Sequence, residues 1–282
     1  MFTVFKHALL IFLFLFCFVS CLNDKESPGG KFKRRDPNIG REFHEKTKMA
    51  WGTVAKTASI LTDNPPQAPY KAYPSSKTIK LPEFGTEDEI AGIFAKNVFP
   101  PADFSGQPIS FGQLSRVLFA ADGIVENDSA RDLRTAPVAL PRTGSFSFMH
   151  PVEIYVLARS VSGLEEGLYH YSFLNHSLEL INTGYIEIPN CCFRPEVLKK
   201  CSALIILAGI PGRLSWIYDA RSWRYMYMAA GAISQNIHLA CGALGLNSFA
   251  TASFDDDVYN RLLGIDGKEE AALLLHLIGN GE

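Results

Sequence analysis

The sequence predicts an α+β domain in which helices flank a small mixed β-sheet, and three observations predict it. Residues 219–244 place Met226, Ala229, Ala230, Ile233, Ile237, Ala240, Cys241 and Leu244 three and four apart, the spacing of one face of a long helix. Residues 203–210 are an unbroken apolar run of strand length, suited to the centre of a sheet. Thr86 with Glu89, and Ser110 with Gln113, are capping-box pairs that open shorter helices.

In chain order, residues 41–60 carry a helical pattern. Pro65, Pro66, Pro69 and Pro74 then impose an extended arm, because each fixes φ and removes a backbone donor. Thr86 opens a helix to about Val98, with Ile90, Ile93 and Phe94 on its apolar face. Ser110 opens a second, with Leu114, Val117, Leu118 and Ala121 inside and Gly123 at its C-cap. After a loop over residues 122–151, residues 152–158 read as a strand. Residues 168–173 and 178–181 then read as a hairpin turning through Asn175. The central strand and the long helix follow, with Gly231 and Gly242 allowing another backbone to come close. Residues 248–252 form a short strand leading to a helix capped by Asp255, and residues 272–278 form the closing strand. No internal repeat is visible, so residues 41–282 are expected to be one domain.

Residues 1–20 have a different character. Lys6 and His7 precede an apolar run over residues 8–19, too short to cross ~30 Å of hydrocarbon comfortably but suited to the core of a secretory signal. The string Phe18-Val19-Ser20-Cys21 resembles the lipobox of bacterial lipoproteins, in which the chain is cut before the Cys and the thiol is acylated. That resemblance implies export to the cell envelope and a lipid anchor at Cys21, with an ordinary cleaved signal or an uncleaved anchor as alternatives. Residues 21–40 are polar and broken by Pro and Gly, the composition of a tether.

Composition excludes some classes of function. Lys and Arg number 27 against 29 Asp and Glu, a net charge of -2, so the chain lacks the footprint of nucleic-acid binding. Of the six cysteines, Cys17 and Cys21 belong to the signal, and Cys191, Cys192, Cys201 and Cys241 contain no C-x-x-C pair, so no metal site is expected. Cys241 reads as a small core residue. In an oxidising compartment Cys191 or Cys192 is placed to pair with Cys201.

Several strings, in order, resemble the SagB-type dehydrogenases of the FMN-dependent nitroreductase-like superfamily. Residues 43–48 (FHEKTK) look like an early YHEATK segment, and residues 108–124 look like the PLSLxxLSxLLWAAxGI stretch. Residues 134–137 (RTAP) match the start of RTAPSAGALYP, residues 151–156 its continuation into a strand, and residues 163–171 a GLxPGLYHY string. Residues 231–236, 243–246, 254–257 and 262–267 complete the series. The resemblance implies a nitroreductase-like fold, a homodimer with a long central helix in its interface, FMN bound between subunits, and a small organic or peptide-derived substrate.

Carried over position by position, the resemblance implies FMN contacts at Lys96, Asn97, Arg134, Pro137, Ser253 and Phe254; in the extra residues 140–150, Ser145 or Ser147 is the candidate to replace a lost hydroxyl and Arg142 the candidate to reach the phosphate. The sequence departs from the family at the phosphate: an RRSxR string is replaced by Ala95-Lys96-Asn97-Val98-Phe99, and Ser253 stands in a GGF turn. The catalytic pair of the WKYGxRxYR string becomes Ile217-Tyr218, leaving Tyr218 as the catalytic candidate and no basic partner beside it. Packing of Tyr218 on Trp216 is the structural alternative, and Arg221 and Arg224 are expected to bind Asp219 or an anionic substrate. Two functional readings follow: an FMN-dependent oxidoreductase, or a flavin-free envelope binding protein on the same dimeric scaffold.

Overall fold

The fold comes from a computed structural model, which describes residues 38–49, 103–123, 149–189 and 195–282. Helix α1 (Ile39–Thr47) is followed by the short strand β1 (Ile109–Ser110) and helix α2 (Phe111–Asp122). Strands β2 (Val152–Ala158), β3 (Val161–Ser162), β4 (Gly167–Ser172) and β5 (Ser177–Thr183) come next. Then follow α3 (Pro195–Lys200), β6 (Ala203–Gly209), α4 (Gly212–Tyr218), a 3-10 turn (Asp219–Arg221), α5 (Ser222–Ala243), β7 (Leu246–Thr251), α6 (Asp256–Leu263) and β8 (Ala271–Asn280).

Six strands form one sheet in the order β5-β4-β2-β6-β8-β7. Every pairing in it is antiparallel, whereas the sequence suggested a mixed sheet; the parallel pairing is confined to β1 and β3, which form a separate two-stranded ribbon. Strand order is a property of loop paths, which periodicity does not encode. The run at residues 203–210 is central as expected: β6 lies between β2 and β8 and all its residues are buried.

Alternation along the strands divides the interior in two. Val152, Ile154 and Val156 of β2, with Ala203, Ile205 and Leu207 of β6, face α2 and α5, whose Leu114, Val117, Met226, Ala229, Ile233 and Ile237 complete that layer. Leu157, Leu204, Ile206, Leu275 and Leu277 face the other way, onto Val197 and Leu198 of α3 and Tyr259 and Leu263 of α6. Each such side chain contributes ~1.5–3 kcal/mol of apolar burial, so both helix layers are fixed by the same sheet.

The capping box at α2 forms in full, with Ser110 Oγ accepting from Gln113 N–H at 3.1 Å and Gln113 Oε1 accepting from Ser110 N–H at 2.9 Å. Asp255 caps α6, its carboxylate accepting from Val258 N–H at 3.1 Å. Three local expectations change. The left-handed residue of the β4–β5 turn is His176 (φ 47°), not Asn175. Helix α4, which the sequence reading left unassigned, precedes the long helix, which begins at Ser222 rather than Asp219. Gly231 lies on the exposed side of α5 with open space around it, so no backbone among the described residues approaches there. Cys241 is fully buried as expected, and burial pushes its thiol up to about 12. Cys201 is buried with its thiol 3.3 Å from the Leu198 carbonyl, while Cys191 and Cys192 lie outside the described residues, as do the helices expected over residues 50–60 and 86–98.

Candidate functional site

Tyr218 ends α4 because the next residue leaves helical geometry. Asp219 has φ 51° and ψ -137°, a region that suits glycine, which is the residue the WKYG string carries at this position. A side chain held there costs ~1–3 kcal/mol. The chain then tightens into the 3-10 turn and starts α5. The Tyr218 ring packs edge-on against Tyr225 at 4.6 Å, not on Trp216, which is 71% exposed and donates its indole N–H to the Arg213 carbonyl. Burial, and then Tyr225, raises the Tyr218 phenol above its ordinary value, so at neutral pH it is a hydrogen-bond donor and not a base. Arg221 lies 5.7 Å from the centre of the Tyr225 ring. Among the described residues neither Arg221 nor Arg224 makes the ion pair with Asp219 that the sequence suggested.

Helix α1 closes over this corner. Gly40 permits the approach, since a Cβ there would stand 2.0 Å from the Trp223 ring. His44, on the next turn, is buried with its ring 5.1 Å from Trp223, and its Nδ1 is 3.1 Å from the Tyr227 hydroxyl. Among the described residues its Nε2 has no hydrogen-bond partner. Burial, then the Lys48 ammonium, pushes the His44 imidazole below its ordinary value, while burial raises the Tyr227 phenol to about 12. A neutral imidazole and a neutral phenol therefore share one hydrogen bond.

The chain just past α1 also grips the start of α6. Met49 N–H donates to the Asp256 carboxylate at 2.8 Å and Asp256 N–H donates to the Met49 carbonyl at 3.2 Å, while Lys48 lies 3.5 Å from Asp257. Immediately before α6 stands the turn that carries Ser253 and Phe254. Ser253 N–H donates to Thr251 Oγ1 at 3.0 Å, and the Phe254 ring is buried against Tyr259 at 5.2 Å. No contact among the described residues joins Tyr218 to this turn; α1 and the two residues after it touch both corners. Lys96, Asn97, Arg134, Pro137, Arg142 and Ser145 lie outside the described residues.

These residues divide the requirements of a flavin mononucleotide. Tyr218 and Tyr225 at one corner offer aromatic faces, and the Ser253 turn at the other offers a half-buried backbone. The α6 N-terminus does not fit the phosphate: the Asp256, Val258 and Tyr259 amides already donate to Met49 and Asp255, and Asp255, Asp256 and Asp257 gather negative charge there.

A second polar cluster lies on the sheet. Glu153 of β2 is buried; one carboxylate oxygen pairs with Arg213 of α4 and the other lies 2.8 Å from His170 Nε2 of β4. His170 Nδ1 lies 2.9 Å from Glu179 of β5, and the Tyr155 hydroxyl donates to Glu270 at 2.7 Å. The sequence reading assigned no role to Glu153 or Arg213. The available signal was Glu153 itself, one carboxylate inside an otherwise apolar strand, which demands a cation across the sheet.

A profile of the nitroreductase family matches residues 103–280. The chain belongs to the nitroreductase family. A nitroreductase-family protein of Methanocaldococcus jannaschii is 30% identical over 180 residues, covering 63% of this chain and 84% of that one. The trifolitoxin-processing protein TfxB of Rhizobium leguminosarum bv. trifolii is 26% identical over 151 residues, which are 51% of this chain and 40% of TfxB. Among solved structures, a chain of the E. coli microcin synthetase McbBCD complex with truncated pro-MccB17 bound matches 88% of this chain and 95% of its own length, with a TM-score of 0.61 at 17% identity. A nitroreductase-family protein of Ralstonia eutropha matches 73% of this chain and 89% of its own, with a TM-score of 0.50 at 22% identity. The nitroreductase-like fold expected from the sequence is therefore the fold of this chain.

Proposed function

We propose that this chain is an FMN-dependent oxidoreductase of the SagB-type dehydrogenase branch, acting on a small organic or peptide-derived substrate. The observation that carries the reading is the family match over residues 103–280, which runs through Tyr218 and the Ser253 turn. The similarity to TfxB, and the shared fold with a chain of the microcin synthetase complex, favour the peptide-processing branch.

FMN, when bound, supplies the hydride acceptor and donor. The residues of this chain bind, orient and handle protons. Tyr218 keeps its proton at neutral pH and donates a hydrogen bond at its hydroxyl. The Ser253 turn presents half-buried backbone to a ring edge. Lys96, Arg134 and Arg142 are the cations assigned to the phosphate, with Asn97, Pro137, Ser145 and Phe254 completing the contacts. The protein acts as a homodimer through the exposed side of α5, on which Met228 and Gly231 lie open, and Cys21 anchors it by a lipid to the cell envelope.

The test is the visible spectrum of the purified full-length chain before and after FMN is added. Flavin bands that bleach with reduced nicotinamide are expected; colourless protein that takes up no FMN overturns the reading. A second reading, a flavin-free binding protein on the same scaffold, is favoured by the three carboxylates at the α6 start and by Ala95 and Asn97 where the family string has arginine or serine. Calorimetry that finds tight FMN binding eliminates it.

A further inference from the structure

We propose that the outer edge of β5 is a docking strand for an extended, basic polypeptide segment, distinct from the corner that holds Tyr218 and the Ser253 turn. β5 is the last strand of the six, seven residues long, and among the described residues it hydrogen-bonds only to β4. Natural sheets protect such edges with Lys, Pro, a bulge or a very short strand. β5 has no Lys and no Pro; it carries one bulge, since Leu168 pairs with Asn182 and Tyr169 with Leu180 and Ile181 falls in the register shift between them, and it still exposes Leu180 (50%) and Ile181 (48%). Leu174 before it and Tyr185 after it are exposed as well, so apolar surface extends beyond both ends of the strand.

Charge selects the partner. Residues 160–189 contain Glu165, Glu166, Glu179 and Glu187 and no Lys or Arg. Glu179 is paired with His170 at 2.9 Å, and Arg159 donates to the Leu198 carbonyl and lies over the Tyr185 ring, 5.2 Å from its centre, so among the described residues Glu165, Glu166 and Glu187 are the carboxylates left for a partner's cations. An added strand that alternates apolar and basic residues would hydrogen-bond to the open backbone of β5, set its apolar side chains beside Leu180 or Ile181, and bring its cations to the glutamates.

The test uses the full-length protein and labelled seven-residue peptides, one alternating Val and Lys and one alternating Val and Glu, read by fluorescence anisotropy. The basic peptide is expected to bind at least about tenfold more tightly than the acidic one. Amide exchange is expected to slow in β5 and not at Tyr218 or Ser253. The double variant L180K/I181K, with an unchanged unfolding midpoint, should lose at least about tenfold in affinity for the basic peptide. Should that variant fail to fold, a basic peptide with a central Pro is compared on the unaltered protein, where it must bind more weakly. Equal binding of basic and acidic peptides, affinity indifferent to the variant or to the Pro, or a β5-dependent higher oligomer in sedimentation each overturns the proposal. The outcome does not depend on whether flavin is bound.

Discussion

Glu153 and His44 are both polar side chains withdrawn from water, and the protein treats them oppositely. Glu153 has a cation at each oxygen, Arg213 on one side and His170 on the other. Among the described residues the His44 ring hydrogen-bonds to Tyr227, and its buried Nε2 has no partner. The same contrast extends to the backbone: the sheet around Glu153 runs through regular antiparallel pairing, whereas the corner beneath α1 contains Asp219 in a glycine conformation. Glu153 is satisfied at both oxygens, whereas His44 and Asp219 at the candidate corner are left short of a partner among the described residues or strained, as functional corners are when surrounding structure holds them. That difference is open to direct attack.

The largest effect is expected at Glu153. Burial opposes its charge, but His170 and Arg213 hold the carboxyl below the ordinary carboxylate value. Glu153→Ala leaves Arg213 and His170 facing each other without their shared anion, and should lower stability by ~3 kcal/mol in urea unfolding. A loss near the ~0.5 kcal/mol typical of surface changes would mean that the cluster is ornamental and the contrast false.

One group on the sheet runs against the pattern. His276 of β8 is fully buried, with Nε2 2.8 Å from Ser234 Oγ, Nδ1 without a hydrogen-bond partner among the described residues and the His238 ring 4.8 Å away. Burial, then His238, pushes its imidazole down to about 3. Since the unfolded chain binds this proton first, the stability His276 gives is complete above pH ~6.5 and is lost as pH falls towards 3, by ~1.4 kcal/mol per pH unit. His276→Leu should flatten the acid limb of stability against pH by about one proton; an unchanged slope would mean the imidazole is not kept neutral.

His170 should respond in the other direction. Glu153 first, against the opposing effect of burial, and then Glu179, raise it to about 9. A raised imidazole stabilises fully below pH ~6.5, and its contribution fades as pH rises through 9. The side chain is 25% exposed, so solvent screening leaves only ~1 kcal/mol. Wild-type stability should decline between pH 6.5 and 9 while that of His170→Gln stays level; parallel curves would detach His170 from Glu153.

Legibility followed the same division. The β2 strand, the Ser110 and Asp255 caps and the β6 core run were readable, because alternation, capping and burial act locally. Helix α4 was not, since its seven residues are too few to show a period and Pro211-Gly212 resembles a turn. The antiparallel sheet was missed because strand order depends on loop paths. At the site, the resemblance pointed to Tyr218 and the Ser253 turn. His44 joining Tyr227 across 183 positions, and α1 tying two helix starts together, belong to tertiary structure, which no window of sequence contains.

The smallest effect tests the corner itself. If Asp219 is strained, Asp219→Gly relieves ~1–3 kcal/mol of backbone energy. Glycine adds freedom to the unfolded chain and returns ~0.5–1 kcal/mol of that gain. The net expectation is a stabilisation of ~1 kcal/mol, visible as a higher melting temperature, while Asp219→Ala, which keeps a Cβ in the same conformation, gains nothing. If the strain serves to aim Tyr218, the Gly variant should also be the slower of the two in reduction of a bound flavin by nicotinamide. A Gly variant less stable than wild type would show that Asp219 sits at ease, and that the corner is as well satisfied as the sheet.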